Sequence, residues 1–228
     1  MKTKHAKVGL LNILFMPGAG GTFLANMLAK AITDPWWKDY IPEPPNDLFK
    51  ATNEYVNQYN HIVMTWHPFD ISKTDNMFDL KDVCWINLTI TKEEAKFANI
   101  MSAIKQQDYI NVTKESILDR LYATNNTTFD NTHKWQKVVA PMLGKNNKVL
   151  DVKFNDIFVD GNTDVILSIL NLIFQGQYIT MDVVENIAGR CIAKHKADMH
   201  LYNELIYDPD KTIDQILAKV GSKESNSS

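Results

Sequence analysis

The first apolar run of the chain, Val8 to Met16, is broken only by Gly9 and Asn12 and stops at Pro17-Gly18. A short continuous run of this kind with a Pro/Gly stop predicts a buried strand over Val8 to Phe15. The pattern then changes period. Phe23, Leu24, Met27, Leu28 and Ala31 fall on one face at 3.6-residue spacing, which predicts a helix from Thr22 to Ile32, closed by Asp34-Pro35. The next segment, Trp36 to Phe49, is rich in Pro and Trp and reads as a long loop of the kind that forms lids or binding loops. His61 to Trp66 predicts a second strand, stopped by Pro68, and Val83 to Leu88 a third. Thr91 and Glu94 have the spacing of a capping box and open a helix running to about Gln107. Helices are predicted over Lys114 to Thr124 and Trp135 to Met142, a fourth strand over Lys148 to Phe154, and an apolar helix over Thr163 to Phe174. A mostly helical stretch from Met181 to Tyr202 and a short helix from Thr212 to Val220 complete the pattern. The polar, Ser-rich residues Gly221 to Ser228 read as a disordered tail.

Strands alternating with helices imply an α/β protein with three layers, a central parallel sheet covered on both faces. The expectation is one domain over residues 1–220, with ligands at the carboxyl ends of the strands. The chain's 228 residues suffice for one generous core but not for two.

Charge narrows the function classes. With 24 basic against 27 acidic residues the net charge is -3, so a nucleic-acid partner has no bulk electrostatic support. No apolar stretch reaches the length of a membrane span and the N-terminal run lacks the features of a signal peptide, so the expected setting is cytoplasmic, with no membrane partner. Cys84 and Cys191 are far apart in sequence and both sit among apolar neighbours, which predicts two reduced, buried thiols. His195 and His200 are five residues apart, whereas ligands on one helix face stand three or four apart, so no metal site is expected.

The candidate chemistry lies between the first strand and the first helix. Pro17-Gly18-Ala19-Gly20-Gly21-Thr22 is a glycine-rich turn feeding a helix N-terminus, where unpaired N–H groups and the helix dipole favour an anion. The Thr22 hydroxyl adds a donor. The loop differs from the nucleotide-triphosphate loop, since Gly21 stands where GKT would place lysine, and from GxGxxG, since the third glycine is absent. A purely structural turn is the alternative.

The stretch Pro17-Gly18-Ala19-Gly20-Gly21-Thr22-Phe23-Leu24 resembles the phosphosulfate loop of sulfotransferases, Pro-Lys-Ser-Gly-Thr-Thr-Trp-Leu, enzymes of P-loop-like fold that use 3′-phosphoadenosine 5′-phosphosulfate (PAPS). Two further stretches agree in order. Ile62 to Phe69, with Trp66-His67-Pro68, is similar to the family's second strand and its Lys-Thr-His-x-Pro end, the histidine shifted by one residue relative to the threonine, and Val152 to Asp160 is similar to its Tyr-Glu-Asp-Leu segment. The likeness is to a small bacterial or phage-type member. The resemblance implies that Pro17, Gly18, Ala19, Gly20, Gly21, Thr22 and Phe23 hold the phosphosulfate of PAPS and that His67 is the catalytic base, removing the proton from a hydroxyl of a small-molecule or glycan acceptor. It also implies a 3′-phosphate contact on the third strand, where this chain has Asn87 and Thr89 but no arginine. By the same analogy, Arg190 and Lys194 of the C-terminal basic stretch supply the missing charge. The family's loop lysine is replaced by Gly18. Two other readings remain open from the residues: a degenerate P-loop nucleotide kinase, and a binding or structural module that keeps the fold without catalysis. His67 is on its own equally a turn residue before Pro68, and Trp36, Trp37 and Tyr40 either line an acceptor pocket or pin their loop to the core.

Overall fold

A computed structural model describes residues 9–16, 18–32, 61–66, 84–105, 113–122, 127–145, 147–173 and 179–224. Pro17, His67, the Pro/Trp-rich segment and residues 225–228 lie outside them.

In chain order the elements are β1 (Gly9–Phe15), α1 (Gly21–Ile32), β2 (His61–Trp66), β3 (Cys84–Thr89), α2 (Lys92–Lys105), α3 (Lys114–Tyr122), α4 (Thr127–Leu143), β4 (Lys148–Lys153), α5 (Phe154–Phe158), α6 (Thr163–Ile173), α7 (Met181–Tyr207) and α8 (Pro209–Glu224). The four described strands form one sheet in the order β2-β1-β3-β4, with every pairing parallel. The chain therefore steps from β1 to β2 on one side and from β3 to β4 on the other. The order reverses between β1 and β3, where the connections leaving their carboxyl ends diverge. In open parallel sheets ligands bind at such a switch point.

Alternation along the strands sorts the two faces. Cys84, Ile86 and Leu88 share a face and, through the register Leu11↔Cys84, Ile13↔Ile86 and Phe15↔Leu88, share it with β1. This side holds the main core: Leu24 and Leu28 of α1, Ile166, Ile169 and Leu170 of α6, and Val184, Ile187 and Cys191 of α7 belong to the same buried cluster. Cys84 Sγ donates to the Leu172 carbonyl at 3.5 Å, fixing α6 over this face. Asn87 is three residues from Cys84 and so points the other way. It is tied to Gln136 of α4, with Val139 and Leu143 buried along the same helical stripe. Helices thus lie on both faces of the sheet, as right-handed crossovers running in opposite directions require.

Several boundaries differ from the pattern-based expectation, among them the end of α7, at Tyr207 instead of Tyr202, and the start of α8, at Pro209 instead of Thr212. α4 begins at Thr127, not Trp135. β4 ends at Lys153, and Phe154 opens a five-residue helix instead of closing the strand. The expected tail from Gly221 is corrected: α8 continues through Glu224. Among the described residues no helix is long and apolar enough to cross a membrane, and no group of three His, Cys, Asp or Glu is placed to hold a metal.

Candidate functional site

The glycine loop lies directly beyond β1, at the switch point. Met16 and Ala19 close a tight turn, with the Ala19 N–H donating to the Met16 carbonyl at 3.0 Å. Gly18 stands third in that turn with φ +84°, the position at which a type II turn needs a left-handed residue. Gly20, with φ +77°, caps α1: its carbonyl accepts the Leu24 N–H at 2.9 Å.

The three glycines are explained by protein contacts. A Cβ on Gly18 would stand 1.8 Å from the Ala98 carbonyl oxygen of α2. On Gly20 it would meet the Phe158 ring at 2.7 Å, and on Gly21 the Phe15 ring at 2.2 Å. The loop is glycine-rich because it is pressed between α2, α5 and β1. What it offers a ligand is the first turn of α1. The N–H groups of Gly21, Thr22 and Phe23 have no helical acceptor, the turn contains no acidic residue, and Thr22 is exposed. These groups fit one phosphate or sulfate. Ala19, by contrast, is fully buried and its N–H is taken by the turn.

The basic stretch of α7 comes to this loop. Lys194 Nζ lies 5.6 Å from the centroid of the Phe23 ring and 5.7 Å from that of Phe158. Phe158 is the ring against which Gly20 packs, so Lys194 stands near the glycine loop, whereas the resemblance put it at the 3′-phosphate beside the third strand. The ammonium is not free: Asp198, one helical turn on, accepts from it at 2.5 Å, and both side chains are largely buried (17% and 16% exposed). Arg190 is exposed one turn before Lys194, a spacing that puts the two on one side of α7.

His195, not singled out by its sequence for this site, stands beside Lys194. Its ring meets Phe97 and Phe154 edge-on, with centroids 5.6 and 5.4 Å apart. Nδ1 is buried without a partner, as is Glu94 Oε1. Burial pulls the His195 pKa below its ordinary value. The Asp198 carboxylate raises it, the Lys194 ammonium lowers it and Glu94 raises it, each less than burial lowers it. Glu94 and Ala98 are one turn apart on α2, so these groups share the helix faces that clamp the glycine loop.

Asn87 and Thr89 have other partners. Asn87 Nδ2 donates to Asp151 Oδ1 at 2.7 Å, its Oδ1 accepts from Gln136 Nε2 at 2.6 Å, and the Thr89 hydroxyl donates to the Val152 carbonyl at 3.2 Å. A carboxylate within hydrogen-bond distance of the Asn87 amide opposes a phosphate there. The signal for this was the Asn87–Asp151 pairing in the register of β3 and β4, which no single-strand pattern contains. His67 and Pro17 lie outside the described residues. The strand that precedes His67 ends at Trp66 beside Leu14, so β2 finishes next to the glycine loop.

Comparison with protein-family models, with characterised proteins and with solved structures finds no match for this chain.

Proposed function

We propose that the chain is a PAPS-dependent sulfotransferase that binds the phosphosulfate at the start of α1 and transfers the sulfonate to a hydroxyl of a small molecule or glycan. The observation that carries this reading is the capped first turn of α1 at the switch point, with its acceptor-free N–H groups, an exposed Thr22 hydroxyl and Lys194 brought in from α7. The N–H groups of Gly21, Thr22 and Phe23 would hold the phosphosulfate, with Lys194 and Arg190 supplying positive charge from the side. PAPS supplies the activated sulfonate. The Thr22 hydroxyl and the α1 dipole stabilise negative charge near the transferring group, and His67, in the segment leaving β2, takes the acceptor proton. The third-strand contact is dropped from this reading, because Asp151 occupies it.

One observation favours a second reading, a nucleotide- or anion-binding module without catalysis. The Lys194 ammonium is already neutralised by Asp198, which leaves the loop with dipoles and less net charge than sulfonate transfer would use.

Calorimetric titration with 3′-phosphoadenosine 5′-phosphate, with ATP for comparison, tests the first reading. The expected result is micromolar binding of the former with ATP much weaker, and at least a ten-fold loss in Lys194→Gln. Sulfonate transfer from PAPS in an acceptor screen, absent in His67→Ala, then separates enzyme from module. Binding of neither nucleotide overturns the proposal, and Mg²⁺-dependent ATP binding moves it to a kinase.

A further inference from the structure

Asn87 and Gln136 are two primary amides buried beneath α4, with 7% and 6% exposure. Burying such groups costs free energy unless their bonds are made. Here they form a chain. Gln136 Nε2 donates to Asn87 Oδ1 at 2.6 Å and to the Leu88 carbonyl at 3.0 Å. That decides which end of the Asn87 amide is the donor, and its Nδ2 donates to Asp151 Oδ1 at 2.7 Å. The chain ends on one carboxylate of the neighbouring strand and holds it in place. An ionised carboxylate accepts about four hydrogen bonds, so Asp151 keeps acceptor capacity after Asn87 is served.

Asp151 lines a cleft of about 400 Å³ between α4 and the β3–β4 face, a volume suited to a small organic ligand. Ala140, Pro141 and Val149 give it apolar walls, and His133 and Lys137 stand on its helix side. The His133 ring is stacked on Phe129, with centroids 5.2 Å apart and planes 14° apart, which holds it flat. Pro141 lies inside α4 and has no N–H, so the Lys137 carbonyl lacks its usual helical donor.

We propose that this cleft binds a planar nitrogen heterocycle by its N–H edge. The pattern that fits best is that of guanine, a ring N–H beside an exocyclic amine. Two adjacent N–H donors match the spacing of two carboxylate oxygens, and the apolar walls take the ring faces. The carboxylate disfavours a phosphate, and the mostly apolar lining disfavours a sugar. This site is separate from the α1 anion site and does not depend on it.

The test is calorimetric titration of the full chain with guanosine and with inosine, which keeps the ring N–H but lacks the exocyclic amine. Guanosine should bind with submillimolar affinity and inosine at least ten-fold more weakly. Asp151→Asn should weaken guanosine at least ten-fold, and Ala140→Trp, which fills the cleft, should abolish binding. Thermal melts report whether each variant is folded, and since Asp151 and Ala140 are both partly open to solvent, at least one is expected to be. No guanosine binding up to millimolar concentration, equal affinity for inosine, or guanosine binding unchanged in a folded variant overturns the proposal. Binding of 3′-phosphoadenosine 5′-phosphate to Asp151→Asn, read separately, reports on the α1 site alone.

Discussion

At Gly18 two penalties coincide. A side chain there would have to take a left-handed conformation, at about 1–2 kcal/mol, and its Cβ would overlap a backbone carbonyl oxygen that cannot swing aside. At Gly21 the obstacle is the Phe15 ring, a buried side chain that yields only by repacking, an overpacking penalty of about 1–3 kcal/mol. Gly18→Ala should therefore destabilise the protein more than Gly21→Ala in urea unfolding, and a wild-type midpoint for Gly18→Ala would refute the loop geometry. His195 gives the residue scale a pH dependence. Its folded pKa is depressed, chiefly by burial, so the unfolded chain takes up the proton first as pH falls. The stability contributed by neutral His195 is complete above the unfolded value, about 6.5, and is lost as pH drops from there through the lowered folded value. The urea midpoint should fall on acidification from pH 7.5 to 5.5, and His195→Phe should flatten that decline; an unchanged slope would show that His195 does not titrate in this environment. The two thiols behave as their apolar neighbours suggested: both are free and buried, and burial pushes Cys191 up to about 12. Neither should react appreciably with iodoacetamide at pH 8 until the chain is unfolded, and rapid native labelling would contradict the burial.

Elements were readable where local chemistry decides them. The capping box is formed on both sides: Glu94 Oε2 accepts the Thr91 N–H at 2.6 Å and Thr91 Oγ1 accepts the Glu94 N–H at 3.2 Å. Thr91→Ala should cost about 1 kcal/mol and loosen the start of α2, measurable as faster amide exchange over Lys92 to Ala95; unchanged exchange there would mean the cap is redundant. α4 was harder to read because apolar residues lie on both of its faces. Trp135, Val138 and Met142 are exposed, while the buried stripe runs through Phe129, Gln136, Val139 and Leu143 and includes an amide. Over its second half the apolar residues Val138 and Met142 face out while Val139 and Leu143 face in, so the pattern shows no single stripe, and it misses the polar opening turns. Gly221 suggested a stop to α8, yet one glycine lowers helix stability by about 1 kcal/mol without ending a helix, and α8 continues past it. The glycine loop was legible as a turn into a helix, but not the reason for Gly18 and Gly20, which lies in α2 and α5, far along the chain. The Lys194–Asp198 pair has the i,i+4 spacing that a helix reading contains, whereas the approach of Lys194 to the Phe23 and Phe158 rings and the pairing of Asp151 with Asn87 belong to the folded chain.

On the scale of the whole molecule, α7 connects the parts. It packs against α1, α2, α5, α6 and α8, and it brings Lys194 to the loop at the switch point, with His195 seated against Phe97 of α2 and Phe154 of α5. α4 is on the opposite face of the sheet, held through Gln136 and the β3–β4 side, and it also touches α2. An anion at the first turn of α1 would thus be sensed first by α7 and α2, through Lys194 and the Ala98 contact, and last by α4. A ligand that binds only the folded chain raises its stability by about 2.7 kcal/mol at a hundred-fold excess over Kd, and that gain should be spread unevenly. With saturating 3′-phosphoadenosine 5′-phosphate, hydrogen exchange should slow most over the first turns of α1 and α2 and the middle of α7, and least over α4. Guanosine should give the complementary map, with slowing centred on α4 and β4. If both ligands slowed the same elements, the sheet would not separate two sites and the α1 and α4 faces would have to be treated as one. If the first ligand slowed α4 alone, the anion site would lie away from the glycine loop, and the role given to Thr22 and Lys194 would fall with it.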